Sequence, residues 1–262
     1  MRGVADGQPE RWTLPLSFQP VKGESSTHAI LERGNEMIAV CGTSRTGPRL
    51  IACRQDRSLP GGLEMICLLN AVGGTGSMVI PRSLKNAAET ANRILGGRPL
   101  TVHMPLRLYR YAGGVACEPD PCMRVARPSD AEILSEWFTA FSADTGLRAP
   151  DDMTTGTLKR IEAGRVRILE VDGTPVACAQ MGTRTAGQIR IGLVYVPDAE
   201  RRKGHAGRLV RSVTAEALEE DALVCLFTDA ENTSTDALYQ SIGFEPVEEL
   251  LHLDPTPSES GT

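Results

Sequence analysis

Between Ile191 and Val210 the chain reads Ile-Gly-Leu-Val-Tyr-Val-Pro-Asp-Ala-Glu-Arg-Arg-Lys-Gly-His-Ala-Gly-Arg-Leu-Val. An apolar stretch runs into a turn holding Arg201, Arg202, Lys203, Gly204 and Ala206, and an amphipathic helical pattern starts at once. The first turn of a helix leaves backbone N–H groups without intrahelical partners and gathers partial positive charge, and together these bind phosphate. Gly204 and Ala206 keep the backbone bare enough for a pyrophosphate to approach, and the consecutive cations add charge. The spacing is that of neither the P-loop nor the Gly-x-Gly-x-x-Gly dinucleotide fingerprint.

These residues need a scaffold, and the pattern around them predicts one. Met123–Ala126 reads as a short strand, and Ser129 with Glu132 three residues on reads as a capping box. Ile133, Leu134, Trp137, Phe138 and Phe141 follow at helical spacing. Arg165–Val171 and Val176–Met181 read as strands around the hairpin signal Asp172-Gly173. Ile189–Val196 is a further strand, Gly204–Leu218 a helix with one apolar face, and Leu223–Thr228 a strand. Thr235–Ile242 is a short helix ended by Gly243, and Phe244–Leu253 a closing strand. The order defines a mixed α/β sheet.

An earlier block precedes this one. Met37–Cys41, Leu50–Cys53 and Leu63–Leu69 read as strands, and Ser83 caps a helix through Leu95 that Gly96-Gly97 closes. Leu100, Val102, Met104, Leu106 and Leu108 alternate with Thr101, His103, Arg107 and Tyr109, the pattern of a half-buried strand. Gly113–Pro121 is the expected linker. The expected division is a leader over 1–26, an N-terminal lobe over 27–120, a C-terminal lobe over 121–254 and a disordered tail over 255–262.

Composition narrows the function classes. Apolar residues make up 41% and charged residues 23% of the 262, which excludes wholesale disorder. The net charge of −5 supplies no global basic field for nucleic acid or an anionic membrane. The N-terminus lacks the pattern of a signal peptide, and the apolar stretch Met65–Val72 is too short to span a bilayer. The cysteines at 41, 53, 67, 117, 122, 178 and 225 are scattered, and no His sits at ligand spacing from Cys117 and Cys122, so they read as reduced cytosolic thiols without a metal site.

Arg201-x-x-Gly204-x-Ala206 after a strand resembles the Q/R-x-x-G-x-G/A signature of the GCN5-related N-acetyltransferases, the GNAT family. Val194-Tyr195-Val196-Pro197 precedes it at the family's spacing. Asp229, Asn232, Ser234, Tyr239 and Ile242-Gly243-Phe244 follow, similar to the family's second motif. The set is most similar to the FR47-like branch over about 123–250. Residues 36–111 resemble the diverged N-terminal lobe that often precedes such domains, a degenerate half of the same fold. Where the branch has Asn-Pro-Thr-Ser, this chain has Asn232-Thr233-Ser234-Thr235, which keeps the capping hydroxyls.

The resemblance implies an acyl-CoA N-acyltransferase fold and an enzyme that uses acetyl-CoA as co-substrate. It implies an amine acceptor, a small molecule or a peptide, and no nucleic acid or membrane partner. Cytoplasmic location and a homodimer are the accompanying expectations. Acetyl-CoA would enter a V-shaped gap where the strand ending near Val196 splays from Leu223–Thr228. Val194, Tyr195 and Val196 would line the pantetheine arm, with the backbone of Val194 and Val196 pairing with it. Amides at Arg202, Lys203, Gly204, His205, Ala206 and Gly207 would hold the pyrophosphate beside Arg201. Asn232 would contact the cofactor arm, and Tyr239 would lie near the sulfur as the acid. The Val196 N–H would stabilise the oxyanion. No base is assigned: Asp229, Glu231 and a water chain all stand open. The alternative function is a non-catalytic acyl-CoA sensor or scaffold, and O-acyl transfer is a third.

Several residues read more plainly. His205 offers its backbone amide with its ring at the surface, and Cys225 is strand core. Gly73-Gly74-Thr75-Gly76 is a turn rather than a phosphate loop. His103 and Arg107 share the polar face of a strand, read as a solvated or inter-lobe face with the lining of a substrate pocket as the alternative, and Trp137, Phe138 and Phe141 are core or acceptor-site wall.

Overall fold

The computed structural model describes residues 27–33, 36–43, 48–53, 58–115, 117–147, 149–184 and 187–257. The expected leader over 1–26 and the last residues of the expected tail, 258–262, lie outside them. The chain groups into two compact units, and the grouping is not sequential. The described residues up to Tyr109 join Phe227–Asp236 and Pro246 onward, while Arg110–Leu226 joins Ala237–Glu245.

In the first unit the strands are β1 (Thr27–Arg33), β2 (Glu36–Thr43), β3 (Arg49–Cys53), β4 (Met78–Pro81) and β5 (Leu100–Tyr111), with helices α1 (Gly62–Ala71) and α2 (Lys85–Ile94) between them. The strand order is β1-β2-β3-β4-β11-β5, where β11 is Phe244–Pro255. β11 runs antiparallel to β4, with Leu250 opposite Pro81 and Leu253 opposite Met78. The expected tail begins on this strand: β11 ends at Pro255, and the Thr256 N–H donates to Pro99 O at 2.8 Å.

Leu63–Leu69, expected as a strand, is the helix α1. Its buried residues Met65, Leu68 and Leu69, continued by Val72, stand at i, i+3, i+4 and i+7, a helical stripe that a short apolar run conceals. Glu64 turns back to accept the Gly61 N–H at 2.9 Å, which satisfies a donor at the helix start. Gly73 and Gly74, at φ +90° and +82°, close the helix, and the Gly74 N–H reaches Leu69 O at 2.8 Å. The Gly73–Gly76 stretch is thus a turn, as expected. Ser83 does not cap α2; it lies in a short 3-10 turn, Arg82–Leu84, that leads into the helix. The alternation of β5 also breaks down, because Leu108 and its neighbour Tyr109 are both buried while Val102 is exposed.

The second unit orders its strands β10-β9-β8-β7-β6, namely β6 (Met123–Val125), β7 (Val166–Val171), β8 (Thr174–Met181), β9 (Gln188–Tyr195) and β10 (Leu223–Asp229). β6 to β9 pair antiparallel and β9 with β10 parallel. Asp172 and Gly173 take φ of +50° and +76°, the primed geometry that suits a two-residue hairpin between β7 and β8. Val166 and Ile168 of β7 enter the core with Leu134, Trp137 and Phe138 of α3 (Ala131–Thr145) and Ile161 of α4 (Met153–Glu162). Strand alternation sends Arg167 to the opposite face, where its Nε donates to Glu216 of α5 (His205–Glu219) at 2.7 Å. The unit is therefore a sheet between α3 and α4 on one side and α5 on the other.

The start of α3 departs from the expected Ser129–Glu132 box. Asp130 does the work instead: its buried carboxylate accepts the Arg127 N–H at 2.6 Å and both terminal nitrogens of Arg124 at 2.7 and 2.9 Å. Arg124 also holds Glu170 of β7 through Nε at 2.8 Å, so one guanidinium ties β6, β7 and the helix start together.

Candidate functional site

The ladder between β9 and β10 covers only Gln188–Ile191 against Leu223–Leu226, whereas β9 runs on to Tyr195. A bulge lies in that continuation. Cys178 of β8 faces Tyr195 and Gln180 faces Gly192, so β9 carries one more residue than its partner over the same span. Leu193 absorbs it at φ +49°, a conformation that costs a non-glycine residue about 1–3 kcal/mol. Bulges re-aim a strand's backbone, and this one sits where the ladder to β10 has ended. Tyr195 turns its ring into the core near Trp137, 6.1 Å away between centroids, while Val194 and Val196 are half-buried.

Beyond β9 the chain makes a 3-10 turn, Asp198–Glu200, and then enters α5. Arg202 takes φ +63° and Gly204 +84°. A Cβ on Gly204 would meet nothing within 4 Å, so backbone conformation and not space calls for glycine here. The first bond of α5 runs from the Arg208 N–H to Gly204 O at 3.1 Å, and no hydrogen bond among the described residues uses the N–H groups of 202–207. Gly207 serves packing: a Cβ there would press on Leu238 at 3.3 Å, where α6 (Thr233–Ile242) crosses.

The cations of the turn are not equivalent. Arg201 Nε donates to Val196 O at 3.0 Å, its guanidinium meets Asp144 at 2.6 Å and Asp198 at 2.9 Å, and it lies over the Tyr195 ring. Asp144 foremost holds its pKa above the ordinary arginine value. Lys203 reaches both oxygens of Glu200 at 3.1 Å. Arg208 donates to Asp120 at 3.0 Å, and Asp120 in turn takes the Ser212 hydroxyl oxygen on its N–H at 2.8 Å, which pins the expected linker to α5. Arg202 has no ion pair among the described residues.

His205 corrects one expectation. Its ring is buried, not at the surface: the side chain is 9% exposed, Nε2 lies 3.2 Å from Glu200 Oε2, and Nδ1 is buried without a partner. Glu200 is therefore the hub of the turn, and Lys203 first, with His205, keeps its carboxyl below the ordinary range.

In the first unit Asn232 caps α6. Its Oδ1 accepts the Ser234 hydroxyl at 2.7 Å and the Thr235 N–H at 3.2 Å, so its amide NH2 is the end left to act as donor. Thr228 and Thr235 share a hydroxyl hydrogen bond at 2.7 Å. Asp229 accepts the Glu231 N–H at 2.9 Å, which commits one carboxylate oxygen to the turn. Asp236 pairs with Arg107 of β5, which removes Arg107 from the simple solvated-face reading.

In the second unit Tyr239 is buried, and burial pushes its phenol up to about 12. Phe244 lies edge-on to Tyr239 at 6.1 Å and to Tyr111 at 5.5 Å. Gly243 at φ +104° permits this, since a Cβ would collide with the Gly113 carbonyl oxygen. Cys225 is strand core as expected; its thiol donates to Ile189 O at 3.6 Å and burial raises it to about 12. Trp137 and Phe138 are core.

Sequence reasoning missed Leu193, Asp144, Asp120, Glu200 and Tyr111. Glu200, three residues before Lys203, is the one with a local signal.

Residues 170–252 match the family model described as FR47-like protein. Solved structures match most of the chain. An acetyltransferase of the GNAT family from Colwellia psychrerythraea is 14% identical, covering 87% of this chain and 85% of its own, at a TM-score of 0.56. A GCN5-related N-acetyltransferase from Kribbella flavida is 15% identical, with 99% and 98% covered and a TM-score of 0.56. Another from Sphaerobacter thermophilus is 17% identical, with 90% and 84% covered and a TM-score of 0.54. No curated protein sequence matches the chain. The fold is that of the GNAT acetyltransferases. Within it, residues 170–252 are the stretch that resembles the FR47-like model. No helix among the described residues is long and apolar enough to cross a membrane.

Proposed function

We propose that the chain is an N-acetyltransferase that moves an acetyl group from acetyl-CoA to an amine by direct attack in a ternary complex. The observation that carries this is the run of uncommitted amides at 202–207, opening α5 after a bulged strand that has outrun its ladder. Such amides favour a pyrophosphate, and the backbone N–H groups of Val194 and Val196, past the end of the ladder with β10, suit the amide-bearing pantetheine arm.

The chemistry asks little more of the protein. A neutral amine adds to the thioester carbonyl, and the Val196 N–H is the donor best suited to the oxyanion. The tetrahedral adduct collapses with loss of the thiolate, which takes a proton from Tyr239; the amine's surplus proton leaves to solvent, and solvent returns one to Tyr239. Orienting both partners is worth up to about 7–11 kcal/mol. The raised pKa of Tyr239 keeps it protonated at every physiological pH. Its acceptor is an amine of a small molecule or a peptide, and its free thiols suit the reducing cytoplasm.

Isothermal titration with acetyl-CoA tests the donor, and CoA release with pools of amines tests transfer. Saturable binding with release that depends on one amine supports the enzyme. Saturable binding without release from any amine supports an acyl-CoA sensor instead. No binding at millimolar ligand removes both.

A further inference from the structure

We infer that Asp144 is a positioning residue for acyl transfer: by holding the Arg201 guanidinium against α3, it fixes the end of β9 and with it the Val196 N–H that meets the oxyanion. The inference rests on the acyl-transfer reading above.

Little else holds the end of β9. Its ladder with β10 stops at Ile191 and its ladder with β8 at Tyr195, so Val196 lies past both. Pro197 follows and brings no N–H. Among the described residues, the one hydrogen bond made by the Val196 backbone is the 3.0 Å bond that its carbonyl oxygen accepts from Arg201 Nε. The bulge at Leu193 stands just upstream, where the regular strand is already broken. An oxyanion donor acts only from within hydrogen-bond distance of one point, and a displacement of about 1 Å can cost roughly a hundredfold in rate.

Arg201 uses every nitrogen of its guanidinium. Nε serves Val196 O, Nη1 meets Asp198 at 2.9 Å and Nη2 meets Asp144 at 2.6 Å, while the group lies over the Tyr195 ring. The two carboxylates differ in where they stand. Asp198 belongs to the same turn as Arg201 and is 86% exposed, so it moves with that turn. Asp144 stands in the last turn of α3, the helix whose Trp137 and Phe138 lie in the core with Val166 and Ile168 of β7. It is the carboxylate that ties the guanidinium to the body of the second unit. A lysine offers a compact point charge instead of a planar fork, so charge alone does not reproduce the link.

The test uses acetyl-CoA labelled with carbon-13 at its carbonyl. The infrared stretch of the bound thioester reports hydrogen bonding to that oxygen whether or not an acceptor is present. Binding is expected to lower the stretch in the unaltered protein and in Asp198→Asn, and to leave it near its solution value in Asp144→Asn and Arg201→Lys. With hydroxylamine as the acceptor, kcat is expected to fall about tenfold in those two variants, part of the roughly 10²–10³ that an oxyanion donor supplies, with KM for acetyl-CoA within about twofold. Combining the two changes is expected to cost no more than either, because both break one link. Arg201→Lys carries the same expectation if Asp144→Asn does not fold. A full shift of the stretch with unchanged kcat in Asp144→Asn would overturn the inference. So would equal losses in Asp144→Asn and Asp198→Asn, or a bound thioester whose stretch does not move in the unaltered protein. Failure of the unaltered protein to bind acetyl-CoA is a separate result that removes the donor reading itself.

Discussion

Gly204→Ala is the sharpest probe of the turn. Gly204 sits at φ +84°, and a Cβ there would touch nothing within 4 Å. The substitution therefore acts through backbone conformation alone, and a left-handed L-residue costs about 1–2 kcal/mol. If the turn instead relaxes to a right-handed conformation, the geometry that exposes the amides becomes a minor state. Its population then falls to about 3–20%, and the apparent dissociation constant for acetyl-CoA rises roughly five- to thirtyfold. Gly73→Ala is the matched control, because Gly73 has φ +90° and equally open space but closes α1 in the first unit. Both variants should lower Tm by about 2–8 °C, as a 1–2 kcal/mol loss does in a chain of this size. Calorimetric titration should find weakened acetyl-CoA binding in Gly204→Ala and unchanged binding in Gly73→Ala. If Gly204→Ala loses stability but binds acetyl-CoA as tightly as the unaltered protein, the left-handed turn has no part in holding the donor.

Tyr239→Phe should lower kcat at least tenfold, the lower range of acid catalysis being about 10²-fold, with acetyl-CoA affinity within about twofold. Because Tyr239 acts when protonated and its pKa is raised to about 12, its contribution is present throughout the neutral range and lost only as pH climbs towards that value. A kcat profile with an alkaline limb near 8 that disappears in Tyr239→Phe would contradict the assignment of its pKa. Asp130→Asn should destabilise the second unit by about 2–4 kcal/mol, since it leaves the half-buried Arg124 poorly paired. Arg124 foremost holds Asp130 below the ordinary carboxylate pKa, so its stabilisation is full above the unfolded value near 4 and is lost as pH falls through the folded one. Denaturant titrations at pH 7 and pH 3 should accordingly differ less in Asp130→Asn than in the unaltered protein. Gly243→Ala combines φ +104° with a collision against the Gly113 carbonyl, and should cost about 3 kcal/mol or more, read as loss of soluble protein or a large fall in Tm.

The strand–turn–helix at 188–219 was legible in the sequence because its signals are local. Alternation marks β9, the Gly204 punctuation marks the turn, and a long apolar stripe marks α5. The Asp172-Gly173 hairpin was legible for the same reason. The fate of the cations was not, because it depends on residues remote along the chain: Asp144 for Arg201 and Asp120 for Arg208. His205 reads as a surface residue until Glu200 folds back onto it. α1 reads as a strand because Leu63–Leu69 is a short apolar run in which helix and buried strand look alike. Asp130 displaced the expected cap because a buried carboxylate facing Arg124 outweighs an exposed Ser129. The two units are also interleaved along the chain, since β11 feeds the first sheet, and local periodicity holds no record of which strand a neighbour in space will be.

Amide hydrogen exchange with and without acetyl-CoA tests the central claim most directly. Slowed exchange at residues 202–207 and at Val194 and Val196, with no change at Gly73–Gly76, is the predicted result. Saturating acetyl-CoA that leaves 202–207 exchanging at their original rates would contradict it.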